Sequence, residues 1–235
     1  MTIKPLLTVF ILLFLSACSA YPGNKITDIP EEKTDYNVEY SFEVSTLIDY
    51  GIINKGLIES ESISRAECLS AVMRVIGVTD DFVESHWKIA FEVPPLNDAD
   101  FGTRETKWYI NVGTLEGIAF GKEFNYENRP RYFKPQDNAL ISDCVNFIIN
   151  CVSDTTNRLN EAEKIGLILK EDAFYKNLDE NLTSETLCVL LYRMMNMKRH
   201  LYFAEGLYFT NDHFGMKVDS SGIETYKDFL DEIST

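Results

Sequence analysis

Three histidines, His86, His200 and His213, and five cysteines, Cys18, Cys68, Cys144, Cys151 and Cys188, are the side chains best suited to proton transfer, nucleophilic attack or soft-metal ligation near neutral pH. Their spacing supports none of these reactions. No His-Glu-x-x-His, Gly-x-Ser-x-Gly or Cys-x-x-Cys arrangement occurs, and Cys144 and Cys151 lie seven apart with no histidine beside them. His86 adjoins Trp87 and reads as half of an aromatic pair, not as a general base. With 37 acidic residues, close carboxylate pairs say nothing about glycoside hydrolysis, which needs a fixed spatial separation. Asp219-Ser220-Ser221-Gly222 lacks the alternating ligands and distal glutamate of a calcium loop and reads as a turn. The expectation is a protein that is not an enzyme and needs neither metal nor cofactor.

Binding chemistry is better represented. In Ser64-Arg65-Ala66-Glu67 the hydroxyl and the carboxylate three residues on form a capping box, which satisfies two otherwise unpaired backbone donors at a helix start. Arg65 adds nothing to a cap, and a cation at an exposed first turn opposes the helix dipole by a few tenths of a kcal/mol. It is explained either as a solvated side chain or as a group that meets an anion. The anion is not nucleic acid, because a formal net charge of -15 opposes the phosphate neutralisation on which such binding depends.

The elements that must position these residues recur along the chain. Helix starts are expected at Ile63-Ser64-Arg65-Ala66-Glu67, Ile141-Ser142-Asp143-Cys144 and Leu182-Thr183-Ser184-Glu185-Thr186. Apolar residues follow at helical spacing: Leu69, Val72, Met73 and Ile76; then Val145, Ile148, Ile149 and Val152; then Leu187, Leu190, Leu191 and Met194. Upstream, Gly51, Gly117 and Gly166 each sit where a preceding helix would end on a left-handed residue. One helix of this kind buries a single stripe, so the copies must stack.

Trp108, Gly117-Ile118 with Gly121, Phe133-Lys134-Pro135 and the Ile-Ser-Arg-Ala-Glu start at Ile63 resemble the S-layer homology family, as does the Leu182 to Met195 segment. Arg74 and Arg193 both stand ten residues past their helix-start hydroxyls. The resemblance implies a mainly α fold of three helix-loop-helix repeats in a pseudo-threefold arrangement, over about 39–80, 81–154 and 155–198. It also implies an anionic wall polysaccharide as partner, secondary cell-wall polymer or a peptidoglycan-linked one. Arg65 would be its main contact, with Ser64, Glu67, Trp108 and Gly117 beside it. Core packing for Trp108, and a helix stop for Gly117, are compatible with those roles. Asp143 and Ser184 stand at the aligned arginine positions, so two grooves are expected to be weak and Asp143 to repel an anion. A surface protein held by degenerate grooves is the alternative partner.

At the N-terminus, Lys4, the apolar run Leu6 to Leu15 and Leu15-Ser16-Ala17-Cys18 have the form of a lipoprotein signal over 1–17. Cleavage before Cys18 would give a protein lipid-anchored at the outer face of a bacterial membrane or wall, with 18–38 as a flexible tether. Cys68, Cys144, Cys151 and Cys188 fall on or beside the apolar stripes; buried free thiols are expected, though four cysteines allow three pairings. Residues 199–235 leave the repeat. Leu201-Tyr202-Phe203, Leu207-Tyr208-Phe209-Thr210 and Met216-Lys217-Val218 suggest one or two short strands, and Ile223 to Ile233 a helix, forming a small α/β extension packed on the repeats.

Overall fold

A computed structural model describes residues 40–86, 103–124, 130–153, 155, 157–203, 216–219 and 224–234. The chain divides into Met1–Glu39 and Tyr40–Thr235, and every described residue belongs to the second unit. The expected signal, Cys18 and the tether lie outside the described residues, as do Trp87, His213 and the expected strand 207–210.

The described residues are mainly helical. The helices are α1 (Phe42–Asp49), α2 (Lys55–Ile58), α3 (Arg65–Val75), α4 (Asp80–His86), α5 (Arg104–Leu115), α6 (Ile141–Val152), α7 (Arg158–Lys164), α8 (Ser184–Met195) and α9 (Tyr226–Ile233). Strands β1 (Lys122–Phe124) and β2 (Pro130–Tyr132) pair antiparallel, and so do β3 (Leu201–Phe203) and β4 (Met216–Val218), with Tyr202 opposite Lys217.

Helices α3, α6 and α8 each touch the other two and form the centre. Their stripes explain why. Leu69, Val72, Met73 and Ile76 are fully buried, as are Ile148, Ile149, Leu190, Leu191 and Met194, each contributing roughly 1.5–3 kcal/mol on burial. Gly113 lets α5 approach α3, since a Cβ there would stand 3.2 Å from Leu69 and Met73. Helices α1, α5 and α7 end on Gly51, Gly117 and Gly166 at φ +67°, +71° and +78°. After Gly51 and Gly166 the next residue turns back onto its helix, with Ile52 N–H donating to Leu47 O and Leu167 N–H to Ala162 O.

The loops before α6 and α8 each serve the central helix that precedes them in the chain. Arg65 N–H donates to Asp137 O at 2.9 Å and Ala66 N–H to Pro135 O at 3.2 Å, so the approach to α6 satisfies the first turn of α3. The approach to α8 does the same for α6, through Ile141 N–H to Glu180 O and Ser142 N–H to Leu178 O. Isolated bridges join Ser64 to Asn138, Leu140 to Asn181 and Lys198 to Thr225.

These bridges correct the expected helix start at Ser142. The N-cap of α6 is Leu140, two residues earlier, and the capping oxygen comes from Asp143, whose carboxylate accepts from Leu140 N–H at 3.0 Å. Asp143 therefore matches Glu67 of α3, and Ile141 holds the position of Arg65. In α8, Thr183 is the cap and Ser184 is first in the helix.

Helix α9 opens with a further capping box, Thr225 with Asp228, bridged to the end of α8. Its Tyr226 is fully buried, and the hydroxyl lies 2.8 Å from Cys151 O and 2.9 Å from Leu201 O. Arg199 ties the hairpin to this helix, pairing with Asp219 and Glu224 and lying over the Tyr202 and Phe229 rings.

Candidate functional site

The five residues expected to face a ligand do not converge. Ser64 and Glu67 form the capping box: Glu67 N–H donates to Ser64 Oγ at 3.2 Å, and Ser64 N–H and Oγ donate to Glu67 Oε2 at 2.8 and 2.7 Å. Both line a cavity of about 640 Å³ beside α3. Trp108 is fully buried, edge-on to Phe82 and Tyr109, and its indole N–H finds no acceptor among the described residues. Gly117 is a helix stop whose missing Cβ faces open space.

Arg65 overturns the expectation of an exposed cation at a first turn. It is 1% exposed. Its Nε donates to Phe133 O at 2.9 Å, one terminal nitrogen to Phe120 O at 3.1 Å, and the other pairs with Asp143. The guanidinium lies 4.8 Å from the Phe133 ring centre and 5.5 Å from that of Phe147. Two carbonyls, a carboxylate and two rings thus replace the water a buried cation loses, which makes Arg65 a clamp between α3, α6, Phe120 and Phe133.

Asp143 is likewise not a bare charge facing an approaching anion. Burial pushes its carboxyl up, but the Arg65 hydrogen bond and charge, the Leu140 N–H and the Lys122 charge together outweigh burial and hold it below its ordinary value of 3.8. Lys122 Nζ stands 3.4 Å from its second oxygen.

A cavity of about 370 Å³ opens above this pair. Arg65, Lys122 and Arg158 line it against the one carboxylate of Asp143, with Phe120, Asn146 and Phe147. Arg158 comes from the first position of α7. Its Nε donates to Asn150 Oδ1 at 2.8 Å, and its guanidinium lies 4.8 Å from the Phe120 ring centre. Asn150 Nδ2 in turn donates to Ile118 O at 2.8 Å, which fixes the amide that aims Arg158. No carboxylate of the described residues pairs with Arg158, which lines the cavity beside Lys122. Such an arrangement can bind a carboxylate or phosphate by charge-assisted hydrogen bonds. Lys122, Phe120, Asn150 and Arg158 carry no motif in sequence; they meet because α7 folds back across α6.

Two other cavities have the opposite sign. The 640 Å³ cavity sets Glu67, Asp80, Asp81 and Glu84 against Arg74, which is already bonded to Asp80 at 2.8 and 3.0 Å, with Tyr109 Oη donating to the same carboxylate at 2.8 Å. A cavity of about 440 Å³ beside α8 sets Glu171, Asp172, Glu180 and Glu185 against Arg193. Arg193 is held bidentately by Asp172 at 2.7 Å and donates to Leu167 O. The matched arginines Arg74 and Arg193 are thus internal clamps.

Cys68, Cys144, Cys151 and Cys188 are free and buried. Burial raises the thiols of Cys68 and Cys151 above their ordinary value and that of Cys188 to about 11, which keeps them protonated and inert. Among the described residues no group of His, Cys, Asp or Glu could hold a metal ion, and no helix is long and apolar enough to cross a membrane. No protein-family model matches the chain, and no curated protein matches it at a significant level.

Proposed function

We propose that this chain is a non-enzymatic, lipid-anchored envelope protein whose S-layer-homology-like domain binds anionic cell-wall polysaccharide in the Arg65–Lys122–Arg158 cavity. In this reading α3, α6 and α8 are the inner helices of three repeats about a pseudo-threefold axis. Their mutual contacts, the matching caps at Ser64, Leu140 and Thr183, and the relayed loop-to-helix hydrogen bonds support it. The observation that carries the ligand assignment is the charge of the cavity: three cations to one carboxylate, with Arg158 unpaired among the described residues, on a chain of net charge -15. A polyanion is repelled by the body and finds here a site of its own need.

The ligand contacts are Arg158 and Lys122, with Arg65 beneath them as the group that neutralises Asp143. Titration of polymer released from walls of the producing organism into the purified protein tests this. Arg158→Ala removes one charge-assisted contact, about 1.5–3 kcal/mol, and weakens binding by roughly 10- to 150-fold. Equal affinity of Arg158→Ala and wild type would refute the assignment.

A second reading, a surface-protein interaction module, has one observation in its favour: the cavities of Arg74 and Arg193 each present four carboxylates to one occupied arginine. They suit a basic protein segment and exclude a polyanion. Salt-sensitive retention of a defined basic partner, with no wall binding, would establish it.

A further inference from the structure

Two of the buried cysteines hold the same place in successive central helices. Cys68 stands four residues past Ser64, the N-cap of α3, and Cys144 four residues past Leu140, the N-cap of α6. The two helix starts are tied side by side. Ala139 N–H donates to Ile63 O at 2.8 Å just before the caps, Arg65 N–H donates to Asp137 O at 2.9 Å, and the Arg65–Asp143 ion pair joins the two first turns. Just inside that pair both thiols are fully buried, and they are hydrogen-bonded to each other. Burial chiefly, and then the Cys144 thiol and the Asp143 charge, raise Cys68 above its ordinary value, against a smaller pull from Arg65. The other two cysteines stand apart: burial alone raises Cys151, and burial with the Glu185 charge raises Cys188, neither of them influenced by a second thiol.

We propose that Cys68 and Cys144 are a redox cross-linking site, whose disulfide locks the starts of α3 and α6 to each other. The structure shows the reduced pair. Hydrogen-bonded sulfurs need only a short approach to come within bonding distance, and the neighbouring backbone bonds already hold the two helix starts in place. The oxidant required is itself a disulfide, that of a thiol oxidase or of oxidised glutathione. The thiolate of one cysteine attacks it and expels a thiolate, and the second cysteine then attacks the mixed disulfide and expels the other. Two protein thiols thus lose two electrons and two protons, and the oxidant disulfide becomes two thiols. Because both sulfurs are shut off from solvent in the folded state, the exchange takes place before the core closes. The link closes a loop of roughly 75 residues, a length at which restricting the unfolded chain has a large effect.

The purified full-length protein is unfolded in denaturant, refolded in a buffer of oxidised and reduced glutathione, alkylated in denaturant and mapped by mass spectrometry. The expected product links the Cys68 and Cys144 peptides and carries alkyl groups on Cys151 and Cys188. Its thermal midpoint falls by about 5–15 °C on reduction with dithiothreitol, and that fall is absent from Cys68→Ala and Cys144→Ala refolded in the same way. The mapping is made on wild type, so it decides the question even where a variant fails to fold. Refolded protein with all four thiols alkylated, or with Cys68 or Cys144 joined to any other cysteine, would overturn the proposal. So would a linked protein whose midpoint does not change on reduction.

Discussion

Arg65 illustrates how a single side chain can be read correctly as unusual and incorrectly as exposed. Its charge is needed inside the molecule, where Asp143, Phe133 O and Phe120 O depend on it. Arg65→Ala is therefore expected to cost about 3–5 kcal/mol of stability, because it takes the guanidinium away from a mostly buried carboxylate and from the Phe120 and Phe133 carbonyls. Denaturant unfolding measures this, and a loss under 1 kcal/mol would contradict the clamp. Acid provides the complementary test. Asp143 and Asp172 both titrate below their ordinary value of 3.8, Asp172 through its Arg193 hydrogen bonds and charge against a smaller effect of burial. Carboxyls depressed in the folded state add stability that is complete above 3.8 and lost as pH falls toward their folded values. The denaturation midpoint should thus hold constant down to about pH 5 and fall below pH 4; Asp143→Asn should flatten part of that fall. Sequence could not show the pairing of Arg65 with Asp143, because the contact joins two helix starts across a long stretch of chain and neither residue's type demands the other.

At the scale of elements, helix ends were the most legible feature and their exact register the least. Ser64, Thr183, Gly51, Gly117 and Gly166 stand at caps and stops for reasons of local chemistry, which sequence carries in full. In α6 the hydroxyl of Ser142 suggested a cap, but the loop before α8 draws Leu140 into the N-cap and the carboxylate of Asp143 does the capping. A tertiary hydrogen bond decided that register. The capping box Thr225–Asp228 was readable from residue types, yet it lies past the point where the repeat pattern ends. The hairpin of β1 and β2 was not anticipated, since only three residues on each side pair and no turn signal of the two-residue type joins them. Glycine substitutions separate backbone strain from steric conflict. Gly117→Ala, at φ +71° with open space around it, should cost about 1 kcal/mol. Gly77→Ala, at φ +97°, puts a Cβ 2.6 Å from the Phe229 ring and should cost at least 1 kcal/mol more, because α9 must shift. Thermal or denaturant unfolding of the two variants orders them, and equal losses would show that α9 does not press on the end of α3.

Taken as a whole molecule, the domain holds its shape with two kinds of lock. A continuous apolar core joins α3, α6, α8 and α5, and arginine clamps at Arg65, Arg74, Arg193 and Arg199 pin the loops and the C-terminal helix onto it. Four buried thiols within that core should react with a thiol reagent only on unfolding, so native protein with Cys18 lipidated or absent should show no fast-reacting thiol. Rapid labelling of any of the four in native conditions would mean that the core opens locally. The clamps also explain the surface: of the five arginines whose side chains are described, Arg65, Arg74, Arg193 and Arg199 are engaged by carboxylates, and Arg158, unpaired among the described residues, stands beside Lys122 in a cationic cavity on an acidic body. Binding of wall polymer in this cavity is tested directly by co-sedimentation of the purified protein with wall sacculi, before and after extraction of the polymers other than peptidoglycan, with Arg158→Ala and Lys122→Ala in parallel. The account predicts that wild type sediments with intact sacculi, that extraction abolishes this, and that both variants remain largely in solution; sedimentation that survives extraction, or that is unchanged in both variants, would contradict it.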